Sequence, residues 1–390
     1  MQYDVMAPDD LDAVAEIEAS AFAADEVKGW LETAGHDNVR VLREGASVSG
    51  ALIHAPMGQF FGGRAVRAIG VAGVAVALDR RASGVGRALM EGSVRDASEQ
   101  GFSLSILYPA TQTLYRRAGY ERAGKLMEFH VECSLIESTQ PAQGLTARVL
   151  GEADYPAIEE LYRVAARERD GYLDRGPYIW RRVRAPRNKV VRGVGFFDGE
   201  RLESYLFFTQ VRRDAADPRH NVRLTDFVSS SARGYAHLWQ LLHSMRSMTF
   251  LAIFRGEPSH LALTMLREPC YEEHSERDWM IRVCDVERAL TERGYPMPLS
   301  SHVGLAISDP LIPRNNGVFT LETRDGVAGV SRGGAVDAEL DVRALASLFS
   351  GYHSARALRR IGALSCDDDA ANRLEALFFR GGSPAMAEMF

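Results

Sequence analysis

One turn in the sequence carries residues suited to binding an anion. It reads Arg80-Arg81-Ala82-Ser83-Gly84-Val85-Gly86-Arg87, between a valine-rich segment and an amphipathic one. Its glycines allow successive backbone N–H groups to turn toward one anion, and a helix N-terminus with flanking arginines adds positive potential. A pyrophosphate would fit such a turn. An ordinary strand-to-helix turn with solvated arginines has the same composition, so the octet alone leaves both interpretations open.

Two other glycine patterns are similar to phosphate-binding motifs but lack the necessary chemistry. Residues 119–125 have the spacing of a P-loop, yet Leu126 stands where a magnesium-binding Ser or Thr is required, and a strand is predicted to follow. The Gly84-Val85-Gly86 pattern continues to Leu89, where a dinucleotide-binding fingerprint requires its third glycine. We therefore reject both patterns as nucleotide sites.

A tyrosine downstream of the turn could supply a proton. The phenol of Tyr115 has an ordinary pKa of about 10, so it stays protonated at neutral pH and can protonate a thiolate that forms beside it. An aromatic residue on the buried face of a helix is the alternative interpretation. Sequence position alone does not separate these two roles.

No group of side chains has the spacing of a metal site, so we expect no metal cofactor. The histidines considered share no ligand spacing, and the cysteines form no Cys-x-x-Cys pair and are expected to be reduced thiols. These residues are His36, His54, His130, His237, Cys133, Cys270, Cys284 and Cys366. Residues 229–231 are interpreted as a helix cap rather than a nucleophile, and residues 367–369 as a helix N-terminus.

The composition excludes several classes of protein. The 390 residues include 46 Lys and Arg against 52 Asp and Glu, a net charge of -6, which argues against a nucleic-acid partner. An apolar fraction of 46% with 25% charged residues is typical of a globular protein. The longest apolar run, residues 68–78, is too short to span a membrane, and the N-terminus lacks the pattern of a secretion signal. We expect a cytoplasmic protein.

The segments that must position these residues follow a mixed α/β pattern. A helix is predicted to begin at Asp9-Asp10-Leu11, with Leu11, Val14, Ile17 and Ala21 on its apolar face. Predicted strands follow at 39–43, 50–54 and 66–78, then a helix at 84–100, a strand at 103–108, a short helix at 111–118 and a strand ending near 135.

The rest of the chain divides into two further parts. Residues 137–144 are polar and break every periodicity, which indicates a linker. The next part repeats the first, with a hairpin at Asp198-Gly199 and a strand at 222–228 that leads into a helix at 233–248. Prolines after residue 294 introduce a third part, with strands at 303–308 and 318–323 and helices from Asp341 and Asp367. We predict domains at 1–137, 145–290 and 291–390.

Three motifs that occur in order resemble those of a known superfamily. Arg81-x-x-Gly84-x-Gly86, after Val74-Ala75-Val76-Ala77, resembles the acetyl-CoA signature of the GNAT N-acetyltransferases, and residues 114–121 (LYRRAGYE) resemble their closing helix. Residues 105–110 (SILYPA) narrow the resemblance to the Eis (enhanced intracellular survival) family, bacterial enzymes that acetylate amines. Members of this family have a GNAT domain, a degenerate GNAT domain and a sterol-carrier-like domain.

The resemblance implies a fold and a set of roles. The fold class would be α/β (α+β), with tandem GNAT-like domains followed by a sterol-carrier-protein-like α/β domain. Residues 229–234 (SSSARG) replace the acetyl-CoA signature in the second domain, so one cofactor site per chain is implied. Acetyl-CoA would be held by Val74, Ala75 and Val76 at its pantetheine arm and by Arg81, Gly84, Val85, Gly86 and Arg87 at its pyrophosphate. Tyr115 matches the residue that protonates the leaving sulfur.

The resemblance also assigns a role to the C-terminus, where the carboxylate of Phe390 would fold back into the active site. A terminal carboxylate with a pKa near 3.5 is a poor base for an ammonium near 10, so we expect it to hold the amine or relay a proton through water. Met389 departs from the acidic residue expected there, and Asp25, Glu26 or Glu388 would supply the charge instead. A frayed terminus is the alternative.

The motifs and the resemblance lead to two alternative hypotheses for the function. The first is acetyl transfer from acetyl-CoA to a primary amine of a cationic small molecule or a lysine-like acceptor, by direct attack on the thioester. The second is a non-enzymatic CoA- or lipid-binding protein with a vestigial site, which the intact signature and Tyr115 disfavour. The family resemblance further implies a homo-oligomer, a hexamer.

Overall fold

The structure is a computed structural model that describes residues 1–140, 142–186, 189–213 and 217–390, with backbone alone at positions 275 and 276. Part of the predicted linker, Pro141, lies outside these residues. The first part of the chain contains β1 (Gln2–Val5), α1 (Leu11–Phe22), α2 (Val27–Ala34), β2 (Val39–Glu44), β3 (Ser47–Phe61), β4 (Arg64–Val76), α3 (Val85–Glu99), β5 (Leu104–Leu107), α4 (Gln112–Arg117) and β6 (Glu121–Glu132).

The second part repeats this order, and the third is shorter. The second contains β7 (Thr146–Val149), α5 (Tyr155–Ala166), β8 (Leu173–Asp174), α6 (Pro177–Arg184), β9 (Val191–Asp198), β10 (Arg201–Arg212), β11 (His220–Ser229), α7 (Ala232–Ser244), β12 (Thr249–Gly256), α8 (Leu261–Thr264) and β13 (Tyr271–Val283). Helix α9 (Val286–Glu292) spans the predicted domain boundary between residues 290 and 291. The third part then contains β14 (Ser301–Ser308), β15 (Gly317–Arg324), β16 (Val327–Arg332), β17 (Ala338–Asp341), α10 (Val342–Ser350), α11 (Ala355–Arg360), β18 (Leu364–Cys366) and α12 (Asp368–Phe378).

The structure confirms the predicted N-terminal caps of three helices. Asp341 and Asp367 each accept a hydrogen bond from the backbone N–H three residues on, at 2.7 Å in both cases, as predicted for helix starts. Ser231 likewise caps α7 through the N–H of Gly234. The predicted strand ending near residue 135 is shorter than expected, because Cys133–Leu135 forms a single 3-10 turn. Helix α2 was not predicted.

Thirteen strands of the described chain form one sheet because the first two parts exchange a strand. The order along the sheet is β1-β2-β3-β4-β5-β13-β6-β12-β11-β10-β9-β7, with β8 paired to β3. Strand β13 of the second part therefore lies between β5 and β6 of the first. Strand β6 of the first part lies in turn between β13 and β12 of the second.

The register of β13 shows how complete this exchange is. On one side, residues 280–283 pair antiparallel with β5, from Met280 opposite Leu107 to Val283 opposite Leu104. On the other side, the same strand pairs antiparallel with β6 over nearly its whole length, from Tyr271 opposite Val131. Neither part completes its own sheet, so the two must fold together.

The third part joins this assembly through a buried ion pair. Its five strands form a separate sheet in the order β16-β15-β14-β17-β18. Asp309, which follows β14, accepts two hydrogen bonds of 2.7 Å from the guanidinium of Arg282 in β13, and both side chains are fully buried. Arg282 also donates to the carbonyl oxygen of Ala118, at 2.8 Å. One arginine thus links all three parts.

We predict that Asp309→Asn destabilises the protein by about 3 to 5 kcal/mol, because it leaves the buried Arg282 charge without its counter-ion. The measurement is the midpoint of urea unfolding. Asp325→Asn is the matched control, since Asp325 lies in an exposed turn and its loss should change stability by about 0.5 kcal/mol or less. Equal midpoints for the two variants would contradict the structural role of the pair.

Candidate active site

Strands β4 and β5 separate partway along, and this opening is the central feature of the site. Their parallel pairing runs from Ala68 opposite Leu104 to Gly70 opposite Ile106, where the described pairing stops. Strand β4 continues to Val76, still paired with β3 on its other edge. The main chain of residues 74–76 therefore faces an opening on the β5 side. An extended ligand could pair there as an added strand.

A bulge in β4 lies next to this opening. Two residues of β4, Gly73 and Val74, stand opposite the single β3 residue Leu52. Gly73 has φ +57°, a conformation that favours glycine. The bulge takes main-chain groups out of the β3 ladder at the point where β4 has already left β5. Such groups are available to a bound molecule.

The predicted anion-binding turn is formed as the sequence suggested. Gly84 has φ +90° and precedes the first residue of α3, and a Cβ there would meet nothing within 4 Å. Glycine is thus required at this position by backbone conformation and not by lack of space. Within the described chain, no side chain caps α3, and Arg81 is exposed beside its first turn. The free N–H groups and the arginine together suit an anion.

The other two residues of the motif are less constrained. A Cβ at Gly86 would lie 3.5 Å from Val76 Cγ2, an ordinary contact. Arg87 is exposed, and its Nε donates to Glu91 at 2.7 Å. Arg87 would therefore have to exchange this partner to bind a phosphate.

Tyr115 lies in α4, on the face of the sheet that packs against α3. It belongs to one buried cluster with Val71, Val85 and Leu107. Burial raises the pKa of Tyr115 to about 12, so its hydroxyl keeps its proton throughout the neutral range. The neighbouring Tyr120 is bonded instead to the hydroxyl of Ser105, at 2.7 Å.

The last residues of the chain run between the first two parts. The carbonyl oxygen of Pro384 accepts from the N–H of Lys125 in β6, at 2.9 Å, and the N–H of Ala385 donates to the carbonyl oxygen of Asp170, at 3.0 Å. The hydroxyl of Tyr108 donates to the carbonyl oxygen of Glu388, at 2.7 Å. This segment is held on both sides, so the C-terminus is not a frayed tail.

The final residue, Phe390, lies against β4 where the strands separate. A Cβ added to Gly70 would lie 2.7 Å from Phe390 Cε2, so the glycine leaves room for the ring. The ring centroid is 5.9 Å from that of Tyr108. Because Ala72 of β4 packs in the cluster that includes Trp30, Phe390 and Trp30 share the α1/α2 face of the sheet, opposite Tyr115.

The three acidic residues predicted to bind substrate lie in different surroundings. Asp25 and Glu26 are exposed in the turn between α1 and α2. Glu388 is buried, and its Oε1 accepts from Tyr162, at 2.9 Å, and from the Nε of Arg175, at 2.5 Å. The same arginine also bonds both carboxylate oxygens of Asp226, at 2.6 and 2.8 Å, so Glu388 shares this one positive charge with a second carboxylate. The contacts of Glu388 fix the tail in place.

One acidic residue of this site, Glu18 in α1, was missed by the sequence analysis. Its side chain is fully buried, and neither carboxyl oxygen has a hydrogen-bond partner among the described residues. Both oxygens lie 3.1 to 3.2 Å from the position of a Cβ on Gly73. Burial raises the pKa of Glu18 to about 9, so the carboxyl is protonated at neutral pH. A glutamate one turn after the apolar Val14 was the available signal.

The sequence of the chain matches known families and relatives along most of its length. Acetyltransferase (GNAT) domain models match residues 2–123 and 171–283, and a sterol carrier protein domain model matches residues 286–387. N-acetyltransferase Eis of Mycobacterium tuberculosis is 25% identical over 373 residues, 91% of this chain and 90% of that protein. An uncharacterized N-acetyltransferase of Streptomyces griseus is 26% identical over 349 residues, 84% of this chain and 83% of that protein. The two GNAT domains, the sterol carrier protein domain and these relatives fit an Eis-like family of N-acetyltransferases.

A solved structure agrees with this assignment over the whole chain. The GCN5-related N-acetyltransferase of Anabaena variabilis superposes with a TM-score of 0.94 at 29% identity and covers 100% of both chains. The Eis-like chain is thus an acyltransferase, and its GNAT domains imply acetyl-CoA as cosubstrate. The acetyltransferase domains and relatives contradict the alternative hypothesis of a non-enzymatic binding protein. In the described ranges, no cluster of three or more possible metal ligands occurs, and no helix is long and apolar enough to cross a bilayer.

We predict that Glu18→Gln stabilises the protein at pH 8 but not at pH 5. The folded-state pKa of Glu18 is raised above its unfolded value, so the folded protein binds an extra proton and the wild type loses stability as pH rises from about 4.5 toward 9. The amide does not ionise. The difference in free energy of unfolding between the variant and wild type should grow by about 2 to 4 kcal/mol between pH 5 and pH 8. Urea unfolding at each pH measures it, and the melting temperatures should change in the same direction.

Glu16→Gln is the matched control, since Glu16 is an exposed residue of the same helix. Its difference from wild type should be the same at both pH values. A pH-independent difference for Glu18→Gln would show that Glu18 has a partner in solution.

Proposed function

We propose that the protein transfers the acetyl group of acetyl-CoA to a primary amine of a cationic small molecule or a lysine-like acceptor, by direct attack of the amine on the thioester. The position of Phe390 against Gly70 carries this proposal. The last residue of the chain thereby lies beside the point where β4 and β5 separate, on the face opposite Tyr115, which supports a role for the terminal carboxylate.

In this proposal the cofactor lies along the opened edge of β4. The pantetheine arm would pair with the main chain of Val74, Ala75 and Val76, which has lost its β5 partner. The pyrophosphate would bind at the start of α3 through the groups contributed by Arg81, Gly84, Val85, Gly86 and Arg87. The left-handed conformation of Gly84 and the uncapped helix start support this placement.

The chemistry needs a stabilised oxyanion and a proton for the leaving sulfur. When the amine attacks, negative charge develops on the thioester oxygen, and main-chain N–H groups at the β4 bulge can stabilise it. The C–S bond then breaks, and Tyr115 donates its phenolic proton to the thiolate. The pKa of Tyr115, raised to about 12, keeps this proton in place until it is needed.

The acceptor would approach on the α1/α2 face. The exposed Asp25 and Glu26 would attract a cation there, and the Phe390 carboxylate would hold the ammonium near the thioester. Glu388 would act indirectly, because its bond to Arg175 fixes the tail. The excess of 52 acidic over 46 basic side chains also favours a cationic acceptor.

We further propose, from the sequence pattern, the domain division at 1–137, 145–290 and 291–390 and a cytoplasmic location. The family resemblance adds assembly as a homo-oligomer, a hexamer. The experiment that tests the function is release of CoA thiol from acetyl-CoA in the presence of a diamine, a polyamine, an aminoglycoside and a lysine-containing peptide. A protein that acetylates none of them would contradict the proposal.

We predict that Tyr115→Phe lowers turnover by about 100-fold or more while acetyl-CoA binding is unchanged, because it removes only the proton donor. Turnover comes from thiol release and binding from calorimetry. Tyr120→Phe is the control: it loses the bond to Ser105 and about 1 kcal/mol of stability, with turnover near wild type. The opposite result would mean that Tyr120 is the proton donor.

We also predict that a few residues added after Phe390 reduce turnover by about 100-fold or more without lowering the melting temperature. The extension moves the terminal carboxylate by several Å and puts an amide in its place, and a displacement of about 1 Å can already have an effect of this size. The same tag at the N-terminus is the control and should leave turnover unchanged. Full activity of the C-terminally tagged protein would exclude a role for the carboxylate.

A further inference from the structure

The proposed reaction leaves one proton transfer without a suitable acceptor. An amine is mostly an ammonium at neutral pH, and it must lose a proton before its nitrogen can attack. The Phe390 carboxylate is a weak base for this step, since the pKa of a terminal carboxyl lies near 3.5 and that of an alkylammonium near 10. Another group near the thioester would have to take the proton.

We propose that Glu18 is this group: its carboxylate binds the acceptor's ammonium beside the β4 bulge and removes one proton from it. The inference rests on the proposed function. Geometry supports it, because both carboxyl oxygens lie 3.1 to 3.2 Å from the Cβ position of Gly73, the bulge residue next to the opened edge. Phe390 lies at Gly70, three residues away on the same face, roughly 10 Å or less along a strand.

The repeat within the chain shows that an unpaired group at this position is not required by the fold. Helices α1 and α5 are each 12 residues long and follow a 3-10 turn that ends in Asp10 or Asp154. Each of these aspartates accepts the N–H of the residue before its turn and pairs with an arginine. Glu18 and Tyr162 are therefore equivalent, as the eighth residues of their helices.

The two equivalent residues differ in one respect. The Tyr162 hydroxyl lies 2.9 Å from the carbonyl oxygen of Leu173 and 2.9 Å from Glu388 Oε1, so its one proton has two acceptors within reach. Glu18 has no such partner in the described chain. Buried polar groups are nearly always hydrogen-bonded, so the exception needs a cause. It occurs in the part that carries the acetyl-CoA signature and not in the part that lacks it, as expected if a bound acceptor supplies the partner.

The surroundings of Glu18 would let a cation ionise it. The charged or titratable side chains of α1 and of the elements packed on it (the 3-10 turn, β3, β4 and α2) are Asp9, Asp10, Asp12, Glu16, Lys28, Glu32, His54, Arg64 and Arg67. None of these is bonded to Glu18 in the described structure: Asp10 pairs with Arg43, Lys28 with Asp12, and His54 bonds Ser93 on the other face. Desolvation alone raises the pKa of Glu18.

Protons balance in this scheme. Arrival of the ammonium makes Glu18 release its proton to solvent and form an ion pair. Glu18 then takes a proton from the ammonium, and the neutral amine forms a bond to the acetyl carbon. As the C–S bond breaks, Tyr115 protonates the sulfur and regains a proton from the new amide nitrogen. The net products are the amide, CoA thiol and one proton.

An indole ring lies beside this carboxyl at the bulge. Trp30 Cη2 lies 2.6 Å from the same Cβ position of Gly73, and the Trp30 Nε1 donates to the hydroxyl of Tyr178 in the second part, at 2.9 Å. The exposed Phe22 packs edge-on against Trp30, with 6.4 Å between centroids. These two aromatic residues connect the surroundings of Glu18 to the exposed end of α1.

The kinetic test compares Glu18→Gln with Glu16→Gln, the exposed residue on the same helix. For an amine that the wild type acetylates, kcat/KM of Glu18→Gln should fall by about 100-fold or more, while its KM for acetyl-CoA stays within about twofold. Glu16→Gln should equal wild type. Because Glu18→Gln is expected to melt no lower than wild type, unfolding would not account for the loss. Wild-type kcat/KM in Glu18→Gln would overturn the assignment.

A binding experiment gives a readout that a structural role would not move. Calorimetric titration of the same amine into protein saturated with CoA, in two buffers of different ionisation enthalpy near pH 7.5, measures proton release. The wild type should release about one proton per site and Glu18→Gln none. Equal release by both would also overturn the assignment. If the wild type acetylates no amine of the panel, the proposed function fails first, and the assignment fails with it.

Discussion

The reciprocal exchange of β6 and β13 is the constraint on which the rest of this structure depends. A strand from the second GNAT unit closes the sheet of the first, and a strand from the first closes the second. Each unit's exposed strand edge is thereby covered, which removes a common route to aggregation. The exchange also sets the distance between the two units, and the C-terminal segment runs in the space between them.

The path of the C-terminal segment follows from this arrangement. It leaves α12, pairs with Lys125 of β6, touches Asp170 of the second unit and ends at Gly70 of β4. The ion pair of Glu388 with Arg175 fixes the last residues of this segment. Neither unit alone offers all these contacts, so the site is complete only when the three parts have assembled. The buried pair of Arg282 with Asp309 joins the third part to the other two in that assembly.

In the proposed reaction, the two faces of β4 have different roles. Tyr115 on the α3/α4 face keeps its proton because burial raises its pKa, which suits a donor to a leaving thiolate. On the α1/α2 face, Glu18 and the terminal residue flank the same stretch of strand. Burial disfavours the charged form of both groups and so raises both pKa values. The tyrosine therefore keeps its proton at neutral pH, and the carboxylate of the glutamate, once formed, is a stronger base than an exposed one.

The sequence determined the local features whose physics is contained in a few neighbouring residues. The turn with Gly84 could be predicted because its backbone conformation favours glycine, and the caps at Asp341 and Asp367 because each bonds an N–H three residues away. Much of the order of helices and strands, though not α2, and the repeat of the first part in the second follow from periodicity. Together with the motifs, these features led to the family.

The tertiary structure alone decided the features that join distant residues. Strand exchange could not be predicted, because the pattern of apolar residues can indicate a strand but does not specify which strands it pairs with. The sequence could not show that the carboxylate of Glu388 bonds Arg175, 213 residues away. Its role at the substrate stays a prediction. Glu18 lies on a helix face where its sequence neighbours say little about burial, and only packing against Gly73 and Trp30 leaves its carboxyl dry and unpaired. A residue's charge state depends on what surrounds it in space, and that is set after the chain has folded.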